Sequence, residues 1–256
     1  MNRFIVFKSI LVVAALLVTY FSMDILDAIS FPFEALPNNA YLRNFLLRLI
    51  DYSALLVVGA ILFWRHLPAL LGFRHSLVKS FGFTFLCVLP MLIIFPFVFE
   101  ISDELSFKPV YQQAIMPALF EEVAYRALVL GALYGFCQWR FIPAVMLNGI
   151  VFGLGHLYQA NDLLSAFFTF AITFIGAVWF GWLYIKWSYN LYIPIFLHFL
   201  MNLSWVIFEV SPGAAGNTVA NVARLITILA SIIITFYFTK QSRTLSWKNF
   251  KVIHTV

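Results

Sequence analysis

Ile115-Met-Pro-Ala-Leu-Phe-Glu-Glu-Val-Ala-Tyr-Arg-Ala-Leu-Val-Leu130 is apolar enough to lie inside a lipid bilayer except at two adjacent carboxylates, Glu121 and Glu122, and one guanidinium, Arg126. Each ionisable side chain at the centre of a spanning helix costs roughly 2.5–3.5 kcal/mol on insertion scales. Groups this expensive face protein or a water-filled space, and they mark sites of chemistry.

The whole chain shares that apolar character. Of its 256 residues, 63% are hydrophobic and 11% charged, with a mean hydropathy of +0.94; a soluble domain has about 45–50% and 25%. Runs of about 17–25 apolar residues predict spans near 4–22, 45–64, 80–99, 112–136, 141–159, 163–186, 191–209 and 219–239. The expected fold is therefore all-α, a polytopic transmembrane helix bundle of about eight spans. The second span begins in Arg43, Arg48 and Asp51, so its first turns are expected in the interface or against protein. The first run exceeds the ~7–15 residues of a signal h-region and lacks a small-x-small cleavage site, so it reads as a retained anchor.

Neither a linker nor a repeat of 20–50 residues interrupts the chain, which predicts a single integral membrane domain over 1–256. Chemistry is expected in a core at 112–209, with 1–111 as peripheral helices. The segment 24–39 is too short and too rich in Pro to span, and reads as an outer interfacial element.

Charge orients the bundle. With the N-terminus placed in the cytoplasm, Arg3, Lys8, Arg65, Arg74, Lys79, Arg140, Lys186, Lys240, Arg243, Lys248 and Lys251 fall on the inner side, eleven of the sixteen basic residues. The basic bias sets topology, so both termini are predicted cytoplasmic. The net charge of +5 is then a topology signal, and no nucleic-acid partner is expected. Membrane lipids are, and the basic tail with Trp247 and Phe250 suits an anionic headgroup layer. Cys87 and Cys137 fall at mid-span and at a helix end, which supports no disulfide.

Three patterns lie on separate core spans. In an α-helix, residues four apart share a face while neighbours diverge. Glu122 and Arg126 are therefore expected to pair, which leaves Glu121 to point elsewhere as a candidate general base. The second pattern is Phe152-Gly-Leu-Gly-His156, whose glycines permit close approach of a neighbouring helix. The third is His198-Phe-Leu-Met-Asn202, an imidazole and a carboxamide on one face that could stabilise an oxyanion. At ~1.5 Å per residue, Glu121 and His156 lie about 4–5 and 8–9 Å outward of their span midpoints, and His198 and Asn202 bracket theirs.

These motifs, Glu121-Glu122-x-x-x-Arg126, Phe152-x-x-x-His156 and His198-x-x-x-Asn202, resemble those of the CPBP family, also called Abi. It includes type II CAAX prenyl endopeptidases and bacterial bacteriocin-processing or immunity proteins. The resemblance spans 112 to about 209, and Ala127 stands where many relatives have glycine. It implies a bacterial plasma-membrane protease in which Glu121 activates water with His156 assisting. His198 and Asn202 would form the oxyanion site, and Glu122 with Arg126 would support the helix. Metal use stays open at this stage: the sequence lacks His-Glu-x-x-His, yet Glu121, His156 and His198 could supply three zinc ligands with water as the fourth.

Three function classes compete. The first is an intramembrane endopeptidase acting on a hydrophobic or lipid-modified peptide or a membrane protein. The second is a non-catalytic bacteriocin-immunity protein, and the third a transporter with Glu121 as proton relay. The sequence is silent on oligomeric state.

Overall fold

The computed structural model describes residues 3–211 and 213–241, and they are helical apart from turns, loops and one isolated antiparallel bridge between Ile101 and Phe208. The basic tail lies outside the described residues.

In chain order the helices are α1 (Arg3–Tyr20), α2 (Ser22–Ala28), α3 (Ala40–Asp51), α4 (Ser53–Phe63), α5 (Leu67–Leu70) and α6 (Leu77–Ile94). They continue as α7 (107–135), α8 (Phe141–Leu154), α9 (Leu163–Lys186), α10 (Tyr192–Ile207) and α11 (Thr218–Gln241). By length and composition five described helices can cross a membrane, those starting at Arg3, Leu77, Phe141, Leu163 and Thr218. The pair α3 and α4 makes a sixth if it is one span, bent by 60° at Tyr52. With α7 and the shorter apolar α10, every segment expected to span is helical, and the chain is an integral membrane protein.

α7 is the central rod. Every residue from Ala124 to Leu133 is buried, the signature of a helix enclosed on all sides. Its backbone widens into π turns at Val110–Ile115 and again at Glu122–Gly131, features that are rare in helices and concentrate at functional sites. Two apolar clusters flank it. One joins α1, α4, α7 and α8 around residues such as Leu16, Leu55, Leu130 and Val145. The other joins α6, α10 and α11 around Val88, Leu197 and Ala223.

α9 belongs to both clusters, giving Ala177 and Tyr184 to the first and Trp179, Phe180 and Leu183 to the second. Its aromatic run therefore divides in a way that composition does not reveal. Phe167 and Phe168 are exposed as expected of a lipid-facing belt, whereas Trp179 and Phe180 are buried. Asp162 caps α9, accepting from the Ser165 amide at 2.8 Å while its own N–H donates to the Ser165 hydroxyl at 3.0 Å. The Ser165 amide holds this exposed carboxyl below its ordinary range.

The loops meet in two sets, as alternating spans require. At one end the Ser102 N–H donates to the Ile207 carbonyl at 2.9 Å and the Ala214 N–H donates to Gln159 Oε1 at 2.8 Å. At the other, the Tyr184 hydroxyl donates to the Leu70 carbonyl at 2.7 Å and Asn190 Nδ2 to Ser80 Oγ at 2.9 Å.

The seam between α8 and α9 fixes where His156 emerges. It runs through Gly149 and Gly153, where an added Cβ would come within 3.0 Å of the Phe174 ring and 2.9 Å of the Phe170 ring. Gly153 thus serves the close approach expected of it, but Gly155 faces only its own helix, and Gly149 takes the second place. Gly153→Ala should cost about 1–3 kcal/mol by overpacking. Gly176→Ala, with nothing within 4 Å of the new carbon, should be neutral or slightly stabilising by helix propensity. Thermal unfolding of the two variants in detergent checks this contrast.

Candidate active site

The two adjacent glutamates diverge, as neighbours on a helix must. Glu122 is fully buried and uses both oxygens: Oε2 lies 2.9 Å from Arg126 Nε, and Oε1 accepts from His198 Nδ1 at 2.8 Å. One carboxylate on α7 therefore ties its own helix to α10. The contact to Arg126 is an ion pair whose alignment falls short of a hydrogen bond, and Arg126 Nη1 and Nη2 find no hydrogen-bond partner among the described residues. Their environment is aromatic instead. The guanidinium lies 4.7 Å from the Phe152 ring centre and 5.4 Å from that of Phe180, where ring quadrupoles attract a cation by about 0.5–2 kcal/mol each.

Glu121, only 7% exposed, points the other way. Its Oε1 lies 3.9 Å from Arg48 Nη1, and its buried Oε2 has no hydrogen-bond partner. A buried carboxylate oxygen left unsatisfied is costly. Glu121 lines a cavity of about 220 Å³, joined from the C-terminal half by Tyr125, Phe152 and His156 among others.

His156 stands just past the end of α8, in the turn before a short 3-10 segment. Its Nδ1 donates to the Phe152 carbonyl at 2.7 Å, since a carbonyl can only accept. In the neutral ring this leaves Nε2 with the lone pair, able to accept a proton or orient water.

His198 and Asn202 have other partners. His198 is held by Glu122, and Asn202 Nδ2 donates to the Gln113 carbonyl at 2.9 Å. That carbonyl lies four residues before Pro117, which has no N–H to offer it. Neither side chain is among those lining the cavity that Glu121 faces. Of the six candidate residues, the fold thus brings Glu121 and His156 to one cavity. It gathers Glu122, Arg126 and His198 in a neighbouring buried cluster and places Asn202 between α10 and α7. Among the described residues no three His, Cys, Asp or Glu side chains converge as a metal-ligand set. The Glu121, His156 and His198 trio does not fit a zinc site in this arrangement.

Residues 108–204 match the family model described as type II CAAX prenyl endopeptidase Rce1-like. Over these residues the chain is similar to the CPBP family. Over 99 residues, 39% of the chain, it is also 29% identical to the "Putative membrane peptidase YdiL" of Bacillus subtilis (strain 168), and the match spans 36% of that protein. The matched region contains all six candidate residues and leaves α1 to α6 outside.

The opposite cavity wall comes from those helices. Thr19, Tyr20, Ser22, Arg48, Asp51 and Tyr52 line it, and the Ser22 hydroxyl donates to the Asp51 carboxylate. The sequence places 1–111 as peripheral helices and expects the turns around Arg48 and Asp51 in the interface or against protein, not in the site. The available signal was Arg48 and Asp51 at the start of an apolar span, but only the bend at Tyr52 aims them inward.

Glu122→Gln should leave Arg126 as an uncompensated buried cation and destabilise the protein by about 3–5 kcal/mol. Adding Arg126→Met should recover part of that loss. A double-mutant cycle measured by denaturation in detergent tests the coupling, and additive losses would refute it.

Proposed function

We propose that the protein is an intramembrane endopeptidase of a bacterial plasma membrane, with both termini cytoplasmic. Its substrate is a peptide bond in a hydrophobic or lipid-modified peptide or in a membrane protein. The observation that carries this reading is Glu121, one carboxylate oxygen of which is buried without a hydrogen-bond partner, lining a cavity together with His156. The neighbouring carboxylate is consumed by Arg126 and His198. The similarity of residues 108–204 to a peptidase family supports the same conclusion.

In this mechanism a water in the cavity gives its proton to Glu121 as its oxygen attacks the scissile carbonyl carbon. The carbonyl π pair moves onto oxygen, and a tetrahedral intermediate forms. Collapse of that oxyanion breaks the C–N bond, and the proton on Glu121 passes to the departing nitrogen. His156 Nε2 orients the attacking water, because Nδ1 is already committed to Phe152. Glu122 and Arg126 act as positioning groups that, through His198 Nδ1, lock α7 to α10, and one N–H of Asn202 secures the backbone at Gln113; the second ring nitrogen of His198 and the remaining Asn202 N–H are the oxyanion donors. The surrounding apolar bundle restricts water to the cavity, which strengthens each electrostatic interaction there.

Glu121→Gln keeps the shape and removes the base. It should lower cleavage by at least about 10²-fold, the smaller end of general-base contributions, while the protein still accumulates in membranes. Comparing membrane peptidomes of cells carrying wild-type protein and this variant, with His156→Ala as a second arm, reads the effect. Indistinguishable peptidomes would overturn the peptidase assignment.

A further inference from the structure

We infer that the cavity beside Glu121 is a recognition subsite for a cationic side chain of the substrate, lysine or arginine, with Asp51 as the carboxylate that selects it. This rests on the peptidase reading above and adds to it the chemical class of a residue standing close to the scissile bond.

The first observation is a charge in excess. Arg48 Nη1 lies 3.9 Å from Glu121 Oε1, so the guanidinium of the cavity wall is set against the base. Asp51 lines the same wall and is half-buried, and it takes part in no ion pair among the described residues. It accepts from the Ser22 hydroxyl, a neutral group that leaves the carboxylate charge in place. With His156 neutral, Glu121 and Asp51 bring two negative charges to the lining and Arg48 one positive, which leaves one negative charge unmatched. A carboxylate in a largely apolar bundle is stabilised when a cation meets it.

The second observation is an unpartnered hydroxyl. Thr19 is only 4% exposed, lines the cavity, and its Oγ1 is buried without a hydrogen-bond partner. It stands one turn before Ser22 at the elbow between α1 and α2, on the side from which Ser22 reaches Asp51. An ammonium or guanidinium carries several N–H donors and no acceptor. Such a group can satisfy the carboxylate and the hydroxyl together.

The third is the character of the remaining wall. Tyr20, Tyr52 and Tyr125 line the cavity, and the buried rings of Tyr52 and Tyr125 meet edge to face at 6.4 Å. Aromatic faces attract a cation, and they also cover the apolar stem that carries it. At about 30 Å³ for each water, a cavity of about 220 Å³ has room for one extended side chain beside the attacking water.

Position follows from the helix. Asp51 lies three residues beyond Arg48 on α3, a spacing of roughly 5–6 Å between neighbouring side chains on one face. An extended peptide advances about 3.3 Å per residue. With the scissile carbonyl at Glu121, the cation that reaches Asp51 therefore belongs to a residue within about two positions of the cleaved bond.

The experiment begins with peptide ends that appear in membranes of cells carrying the wild-type protein and disappear in Glu121→Gln. Lysine or arginine should be enriched at one position within two residues of those cleavage sites, and Asp51→Asn should abolish the enrichment. That substitution keeps an oxygen acceptor for Ser22, so it removes charge rather than the hydrogen bond; Asp51→Glu should retain the preference. A synthetic peptide spanning one such site, and its counterpart with norleucine in place of the basic residue, are the probes for purified full-length protein in detergent. The basic peptide should have a KM about 10–100-fold lower, the range of one hydrogen bond to a charged group, with kcat nearly the same. In Asp51→Asn the two KM values should converge. Cleavage sites with no basic enrichment, a preference that persists in Asp51→Asn, or equal loss of both peptides in that variant would overturn the subsite while leaving the peptidase reading intact. An absence of any Glu121-dependent cleavage would remove both.

Discussion

Glu122 is the constraint on which the core depends. A carboxylate with no exposed surface persists in an apolar bundle only when its charge is met, and here Arg126 meets one oxygen and His198 the other. Because Arg126 is itself fully buried between two aromatic rings, neither charge tolerates the loss of its partner. The cluster draws on α7, α8, α9 and α10 at once. It converts four apolar helices, which slide past each other at little cost, into a frame with one register. In a membrane, where apolar contact with lipid competes with apolar contact with protein, polar contacts of this kind carry much of the specificity of helix association.

That frame frees the neighbouring carboxylate. Consecutive helix positions point roughly a quarter-turn apart, so fixing Glu122 toward α10 fixes Glu121 toward α3 and the end of α8. The π turns beginning at Glu122 preserve the divergence. One face of α7 is structural and the adjacent one borders a cavity. Adjacent glutamates thereby have separate tasks with no change in chemistry, only in surroundings.

The cavity also joins the two halves of the chain. The core supplies Glu121 and His156, and α1 to α3 with Tyr52 supply Arg48, Asp51 and their neighbours.

The sequence by itself determined the all-helical membrane-spanning class, the positions of the apolar segments, the pairing of Glu122 with Arg126 and the peptidase-type motifs. All are local or compositional: hydropathy over one helix length, a four-residue period, residue types in order. Only the tertiary structure decided which polar groups share a cavity. The bend at Tyr52 that aims Arg48, the engagement of His198 by Glu122 and of Asn202 by Gln113, and the burial of Phe180 over Arg126 all depend on the rotation and crossing of helices distant in sequence. Those angles are set by side-chain packing across interfaces such as the Gly149 and Gly153 seam. No periodicity within a single segment encodes which neighbour its polar face will meet.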